Sequence, residues 1–128
     1  MRVLEIGCGP GAAAREVARR VGTGYVLGID RSATAVRQAL GASQRQLADG
    51  VLSFRCAAIE EFTLEPGEAP FDLAFAVRVG ALDGRHPDAG ARALASIHAA
   101  LVPGGQLFVD GGDPLREIPL AWQRLWLL

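Results

Sequence analysis

The chain predicts an α/β fold: a doubly wound, mainly parallel five-stranded sheet with helices on both faces. Three observations carry that expectation. Strand-like apolar runs alternate with stretches of helical spacing, a glycine-rich turn joins the first strand to the first helix, and a carboxylate closes the second strand.

Val3 to Ile6 is a short apolar run that stops at glycines, the pattern of a buried strand. Gly7 to Gly11 reads as a turn, and Ala12 to Val21 as a helix. In that helix Ala14, Val17, Ala18 and Val21 fall on one side and Arg15, Arg19 and Arg20 on the other, and Gly22 and Gly24 stop it. Tyr25 to Ile29 is the second strand, ending at Asp30. Ser32 is a favourable cap for a helix expected to run to about Leu47, although Gly41 inside it costs about 1 kcal/mol relative to Ala. Val51 to Cys56 is expected to be the third strand, and Glu60 to Pro70 a turn-rich connection. Phe71 to Val79 reads as a central strand, Gly80 to Ala89 as a loop and Gly90 to Leu101 as a helix. Pro103-Gly104-Gly105 is then a tight turn before a fifth strand, Gln106 to Val109. The tail from Pro114, with Leu115, Ile118, Leu120, Trp122, Leu125 and Trp126, is expected to be a docking helix interrupted near Pro119.

The 128 residues suit a single domain, 1–128, and an apolar share of 50% is enough to fill one core. The formal charge of −1 and the absence of a basic stripe give no electrostatic reason to expect a nucleic-acid partner. No apolar run approaches a membrane span, and no signal peptide precedes the first strand, so a cytoplasmic setting is expected. All thirteen basic side chains are Arg, which removes lysine nucleophiles and Schiff bases from consideration. The two His and two Cys lack metal-ligand spacing, and no metal site is expected.

The informative segment is Glu5-Ile6-Gly7-Cys8-Gly9-Pro10-Gly11. Glycines let the backbone turn sharply and approach a ligand without an intervening Cβ, and the helix that follows offers unpaired N–H groups and the positive end of its dipole. Asp30 lies 19 residues beyond Gly11 at the carboxyl end of the second strand, where a carboxylate can accept both hydroxyls of a ribose. Turn and acid together point to an adenosine-type ligand.

These residues resemble the first motif of class I, Rossmann-like, S-adenosylmethionine-dependent methyltransferases: an acid, any residue, then Gly-x-Gly-x-Gly, matched by Glu5, Gly7, Gly9 and Gly11. Gly28-Ile29-Asp30-Arg31-Ser32 resembles the second motif, Phe71-Asp72-Leu73-Ala74-Phe75 the fourth strand, and Leu101 to Leu107 the turn before the fifth. The resemblance implies the strand order 3-2-1-4-5, S-adenosylmethionine as cofactor, and methyl transfer to an acceptor expected to be a small molecule. It implies that Gly7, Gly9 and Gly11 face the methionine part of the cofactor, with Cys8 inside the same turn and Glu5 holding the loop. It also implies that Asp30 takes the ribose hydroxyls, Arg31 flanks the adenine, backbone groups at Ala58 and Ile59 meet the adenine edge, and Val77 to Gly80 line the methyl side. In that order Cys8 and Cys56 end strands two places apart, roughly 9–10 Å, too far for a disulfide.

The chain starts at the first strand and ends soon after the fifth, so a minimal or truncated domain is expected, without the family's sixth and seventh strands. An apolar fifth strand would then form a sheet edge, a liability that the tail, a homodimer burying Trp122 or Trp126, or a partner subunit would cover. In the loop after the fourth strand His86 is the candidate general base and Asp83 a candidate for binding or deprotonating the acceptor. Arg78 is unusual in an apolar strand and is expected to project toward the ligand or lie on an exposed edge. Two other functions fit the same residues. Gly7, Gly9 and Ala12 also satisfy Gly-x-Gly-x-x-Ala, the pattern of an NAD-dependent oxidoreductase, and a non-catalytic module would keep the donor site without acceptor machinery.

Overall fold

A computed structural model of the protein describes residues 1–82, 85–112 and 115–120. Its sheet has six strands in the order β3-β2-β1-β4-β5-β6, so the expected 3-2-1-4-5 order is present and one strand is added to it. The strands are β1 (Arg2–Ile6), β2 (Tyr25–Asp30), β3 (Leu52–Cys56), β4 (Phe71–Ala76), β5 (Leu101–Asp110) and β6 (Leu115–Ile118). The first five pair in parallel, and β6 runs antiparallel to β5, with Leu107 opposite Ile118 and Asp110 opposite Leu115. The helices are α1 (Ala12–Arg20), α2 (Ala33–Ala42), α3 (Gln44–Ala48) and α4 (Pro87–Ala100).

Alternation along the strands builds the two cores. Leu4, Ile6, Leu27, Ile29, Ala74 and Ala76 face the α4 side, where Ala93, Ile97 and Ala100 pack on them. Val3, Val26, Leu52, Phe54 and Phe75 face the other side and are covered by Ala14 and Ala18 of α1 and Val36 and Ala39 of α2. Strands covered on both faces read as nearly continuous apolar runs, as these do. The solvent side of α1 is laced by Glu16, which pairs with Arg19 and Arg20.

Four of the departures from expectation have a local reason. The helix expected to continue to Leu47 ends at Ala42 and restarts at Gln44, because Ser43 is fully buried and its hydroxyl accepts a 3.1 Å hydrogen bond from Arg15 of α1. β4 stops at Ala76 rather than Val79, since Arg78 takes a positive φ of 58° that turns the chain out of the sheet. The Pro103-Gly104-Gly105 turn survives as a bulge inside a longer β5: Phe71 pairs with Leu101 but Leu73 with Gln106. The tail does not begin as a docking helix. Leu115 and Ile118 are three apart, which suits a helix, but in β6 that spacing sends them to opposite faces of the sheet, Leu115 against the α1–α2 core and Ile118 against the α4 core. The expectation of no further strand is corrected accordingly, and among the described residues β6 rather than β5 forms that edge. Trp122 and Trp126, on which the dimer expectation rests, lie outside the described residues.

Among the described residues no helix is long and apolar enough to cross a membrane, and no three His, Cys, Asp or Glu side chains group to hold a metal ion. Cys8 and Cys56 are both free thiols, Cys8 buried and Cys56 exposed.

Candidate functional site

The carboxyl ends of four parallel strands converge on one cleft. β1 lies between β2 and β4, and the chain leaves those two strands toward opposite faces of the sheet. That split opens a crevice, the usual ligand position in open α/β sheets. The cleft measures about 510 Å³, within the range of small-molecule sites. Ile6 and Gly7 line it after β1, Ile29 to Arg31 after β2, Ala57 to Glu60 after β3, and Arg78 to Ala81 after β4. His86 and Ala89 close it from the start of α4.

The turn after β1 is held rigidly, and in a way the sequence did not announce. Gly7, Gly9 and Gly11 all take positive φ, at 74°, 53° and 90°. The Gly7 and Cys8 N–H groups donate to the Ile29 carbonyl at 2.8 and 2.9 Å, Gly9 N–H donates to Asp30 Oδ2 at 2.9 Å, and Gly11 N–H donates to the Cys8 carbonyl at 3.0 Å. Pro10 has no N–H to give. Every amide of the turn is therefore engaged within the protein. What the turn offers instead is a surface without Cβ atoms. A Cβ on Gly7 would sit 2.9 Å from Val79 Cγ2, so glycine is what lets the segment after β4 close against the turn.

The other two glycines play different parts. A Cβ on Gly9 would meet nothing within 4 Å, which leaves that position open to a ligand. Gly11 is buried, and a Cβ there would fall 2.7 Å from Phe54 Cζ and 3.1 Å from Ala39 Cβ. It serves the fit of α1 against β3 and α2 and does not line the cleft. Cys8 packs into the α1–α2 core, where burial, with Glu5 and Asp30 nearby, pushes its thiol up to about 12. A thiol so placed is not a nucleophile at neutral pH.

Glu5 is 5% exposed, and burial raises its carboxyl from 4.5 to about 7 against a lowering hydrogen bond from the Ala14 backbone N–H. That bond occupies an otherwise unpaired donor in the first turn of α1, whose Gly11 cap has no side chain to do so. Its Oε1 is buried with no partner. Asp30 spends one lone pair of each oxygen, Oδ2 on Gly9 N–H and Oδ1 on Ser32 N–H at 2.9 Å, and keeps the others for a ligand. Arg31 bonds Glu60 across the rim at 2.8 Å, with Arg31 exposed and Glu60 largely covered.

The structure thus gathers Gly7, Asp30, Arg31, Ala58, Ile59 and His86 around one cleft. Glu5, Cys8, Gly9 and Gly11 lie in or beneath the turn, and Val77 is exposed beside it, outside the lining. Asp83 lies outside the described residues. Sequence reasoning passed over Glu60, whereas Val79 falls within the segment 77–80 expected on the methyl side. Glu60 is carried to the cleft by a short 3-10 turn, Ile59–Glu61, which leaves no periodic signal.

A family model described as a methyltransferase domain matches residues 3–105. The chain belongs to the methyltransferase domain family. Among solved structures, this methyltransferase domain is similar to the [4+2]-cyclase SpnF, at 30% identity and a TM-score of 0.68, over 84% of this chain and 37% of that one. It is similar to an S-adenosylmethionine-dependent methyltransferase from Mesorhizobium loti, at 29% identity and a TM-score of 0.66, over 84% and 45% of the two chains. It also resembles phosphoethanolamine N-methyltransferase 2 of Haemonchus contortus, solved with S-adenosylmethionine, at 27% identity and a TM-score of 0.69, over 85% and 24%. The domain therefore spans less than half of each of these proteins. No curated protein sequence matches it significantly. S-adenosylmethionine, the cofactor expected from the sequence, agrees with the family and with the Haemonchus complex.

Proposed function

We propose that this domain binds S-adenosylmethionine across β1 and β2 and transfers its methyl group to a small-molecule acceptor. The observation that carries the reading is the convergence of Gly7, Asp30 and the segment after β3 on a single cleft at the switch point of the sheet. Two features of the site suit this cofactor. Asp30 keeps lone pairs for a ribose diol. The buried, unpartnered Oε1 of Glu5 lies under the turn, where a ligand's ammonium group would offset the charge that burial disfavours. Bound there, the cofactor supplies a methyl on a sulfonium, an electrophile that needs no metal activation.

The protein's own part is positioning. Gly7 and Gly9 admit the amino-acid end, Asp30 holds the sugar, backbone groups at Ala58 and Ile59 meet the base, and Arg31, tied to Glu60, closes over it. His86, at the α4 side of the cleft, is placed to take a proton from the acceptor. Holding both reactants in line is worth up to about 7–11 kcal/mol. The reading includes a cytoplasmic setting, in keeping with two free thiols, and a second copy or partner subunit along the sheet edge.

A nicotinamide dinucleotide fits less well. Its pyrophosphate needs free amides in the glycine turn, and here Gly7, Cys8, Gly9 and Gly11 have committed theirs. The reading without methyl transfer has one specific observation in its favour, namely that the 30%-identical structure is a cyclase. Calorimetric titration with S-adenosylhomocysteine and with NAD tests the proposal. Saturable binding of S-adenosylhomocysteine, weakened by about 1–3 kcal/mol in Asp30→Ala, is expected. Binding of NAD alone, or indifference to Asp30→Ala, refutes it. Tight donor binding without turnover over a broad acceptor panel favours the cyclase-like alternative.

A further inference from the structure

The side chain of Arg15 lies against the glycine turn on the side of α2. The helical pattern groups Arg15 with Arg19 and Arg20, yet those two pair with Glu16 on the surface of α1 itself, whereas Arg15 reaches off its helix. Its Nη1 donates to the Pro10 carbonyl at 2.9 Å and to the Ser43 hydroxyl at 3.1 Å. One guanidinium nitrogen therefore joins the turn after β1 to the break between α2 and α3. Both acceptors are neutral oxygens, so both bonds are charge-assisted and stronger than bonds between neutral groups.

Both ends of this link are fixed. Ser43 is fully buried, its N–H donates to the Leu40 carbonyl at 3.3 Å, and its own carbonyl accepts from Leu47 N–H at 3.0 Å. The hydroxyl that Arg15 grips is thus set by two helices. At the turn, Ile29 and Asp30 take N–H groups of Gly7, Cys8 and Gly9, and Glu5 takes Ala14 N–H at the start of α1. Those bonds hold donors, whereas Arg15 holds a carbonyl, so the turn is pinned through both kinds of backbone group. Gly11 makes the reach possible, because a Cβ there would lie 3.0 Å from Arg15 Nη1. The third glycine of the turn therefore leaves room for a guanidinium as well as for Phe54. Gly9, where a Cβ would meet nothing within 4 Å, is the open position between these pins.

Resting on the methyl-transfer reading above, we infer that Arg15 is a positioning residue for the cofactor: anchored on Ser43, it holds the Pro10 carbonyl so that Gly9 and Pro10 receive the amino-acid end of S-adenosylmethionine. Arg15 does not line the cleft and acts on the ligand only through the turn. The sugar and base contacts come from Asp30 at the end of β2 and from the segment after β3, neither of which bonds to Arg15. Loss of the guanidinium therefore loosens one end of the cofactor and spares the other. A misplacement of about 1 Å is enough to matter at such a site.

The test is calorimetric titration of the full chain with S-adenosylhomocysteine and with methylthioadenosine, which has the same base and sugar but no amino-acid end. Arg15→Met should weaken S-adenosylhomocysteine by about tenfold or more, the scale of one charged hydrogen bond, and leave methylthioadenosine within about twofold. Arg15→Lys should recover part of the loss. Ser43→Ala, which removes the anchor and keeps the cation, should weaken S-adenosylhomocysteine by about threefold with the same selectivity. A merely structural role would lower both ligands alike. Equal S-adenosylhomocysteine affinity in wild type and Arg15→Met, or equal weakening of the two ligands, therefore overturns the inference and leaves the methyl-transfer reading standing. Should urea unfolding show that Arg15→Met does not fold, Arg15→Lys and Ser43→Ala decide by the same comparison. A wild type that binds neither ligand removes the methyl-transfer reading and this inference with it.

Discussion

Replacing Glu5 with Gln should change how stability depends on pH, because Glu5 is a buried acid under the glycine turn. Burial raises its carboxyl from 4.5 to about 7. A folded-state value above the unfolded one contributes stability that is complete below pH 4.5 and is lost as pH climbs to about 7. That interval corresponds to about 3 kcal/mol. Glu5→Gln removes the titration, keeps an acceptor for the Ala14 N–H, and leaves no charge to bury. Urea unfolding of both proteins from pH 4 to pH 9 isolates the effect, since other carboxylates cancel in the difference. The variant should gain on the wild type steadily between pH 4.5 and pH 7 and hold a constant lead above that. Parallel stability curves would show that Glu5 titrates normally and that the site is wetter than its burial implies.

Two glycines should respond in opposite directions to alanine. Gly11→Ala places a Cβ 2.7 Å from Phe54 at φ 90° and should destabilise by about 2–4 kcal/mol in urea unfolding, through overpacking and backbone strain together. Gly41→Ala, inside α2 with nothing within 4 Å, should stabilise by about 1 kcal/mol in the same assay. Glu68 is held below the usual carboxylate range, chiefly by its hydrogen bonds from Arg55. Stability from this pair is present above the unfolded value and lost as pH falls through the folded one. Glu68→Gln should therefore cost about 1 kcal/mol at pH 7, with the deficit vanishing in acid.

The parts of the fold that were legible in the sequence are those encoded by short-range pattern. β1 and β2 show as apolar runs ended by glycine or acid, α1 as a stripe of alanines opposite arginines, and the turn between them as three spaced glycines. What stayed hidden depends on partners distant in the chain. Ser43 breaks a helix because Arg15, 28 residues earlier, needs its hydroxyl. Arg78 leaves the sheet at positive φ with its N–H on Asp110, on a neighbouring strand. Leu115 and Ile118 carry a spacing that a helix and a strand between two cores both satisfy, and only the open edge of β5 decides for the strand. The site divides the same way: Gly7 and Asp30 were legible, whereas the engagement of the turn's amides by Ile29 and Asp30 is a property of the paired strands.

The most direct test is a crystal structure of the protein soaked with S-adenosylhomocysteine. The ribose hydroxyls should lie within hydrogen-bond distance of the Asp30 carboxylate, and the amino-acid end should rest against Gly7 and Gly9, between the ends of β1 and β4. A nucleoside found elsewhere on the sheet, or seated in the cleft with Asp30 turned away from its sugar, would contradict the account.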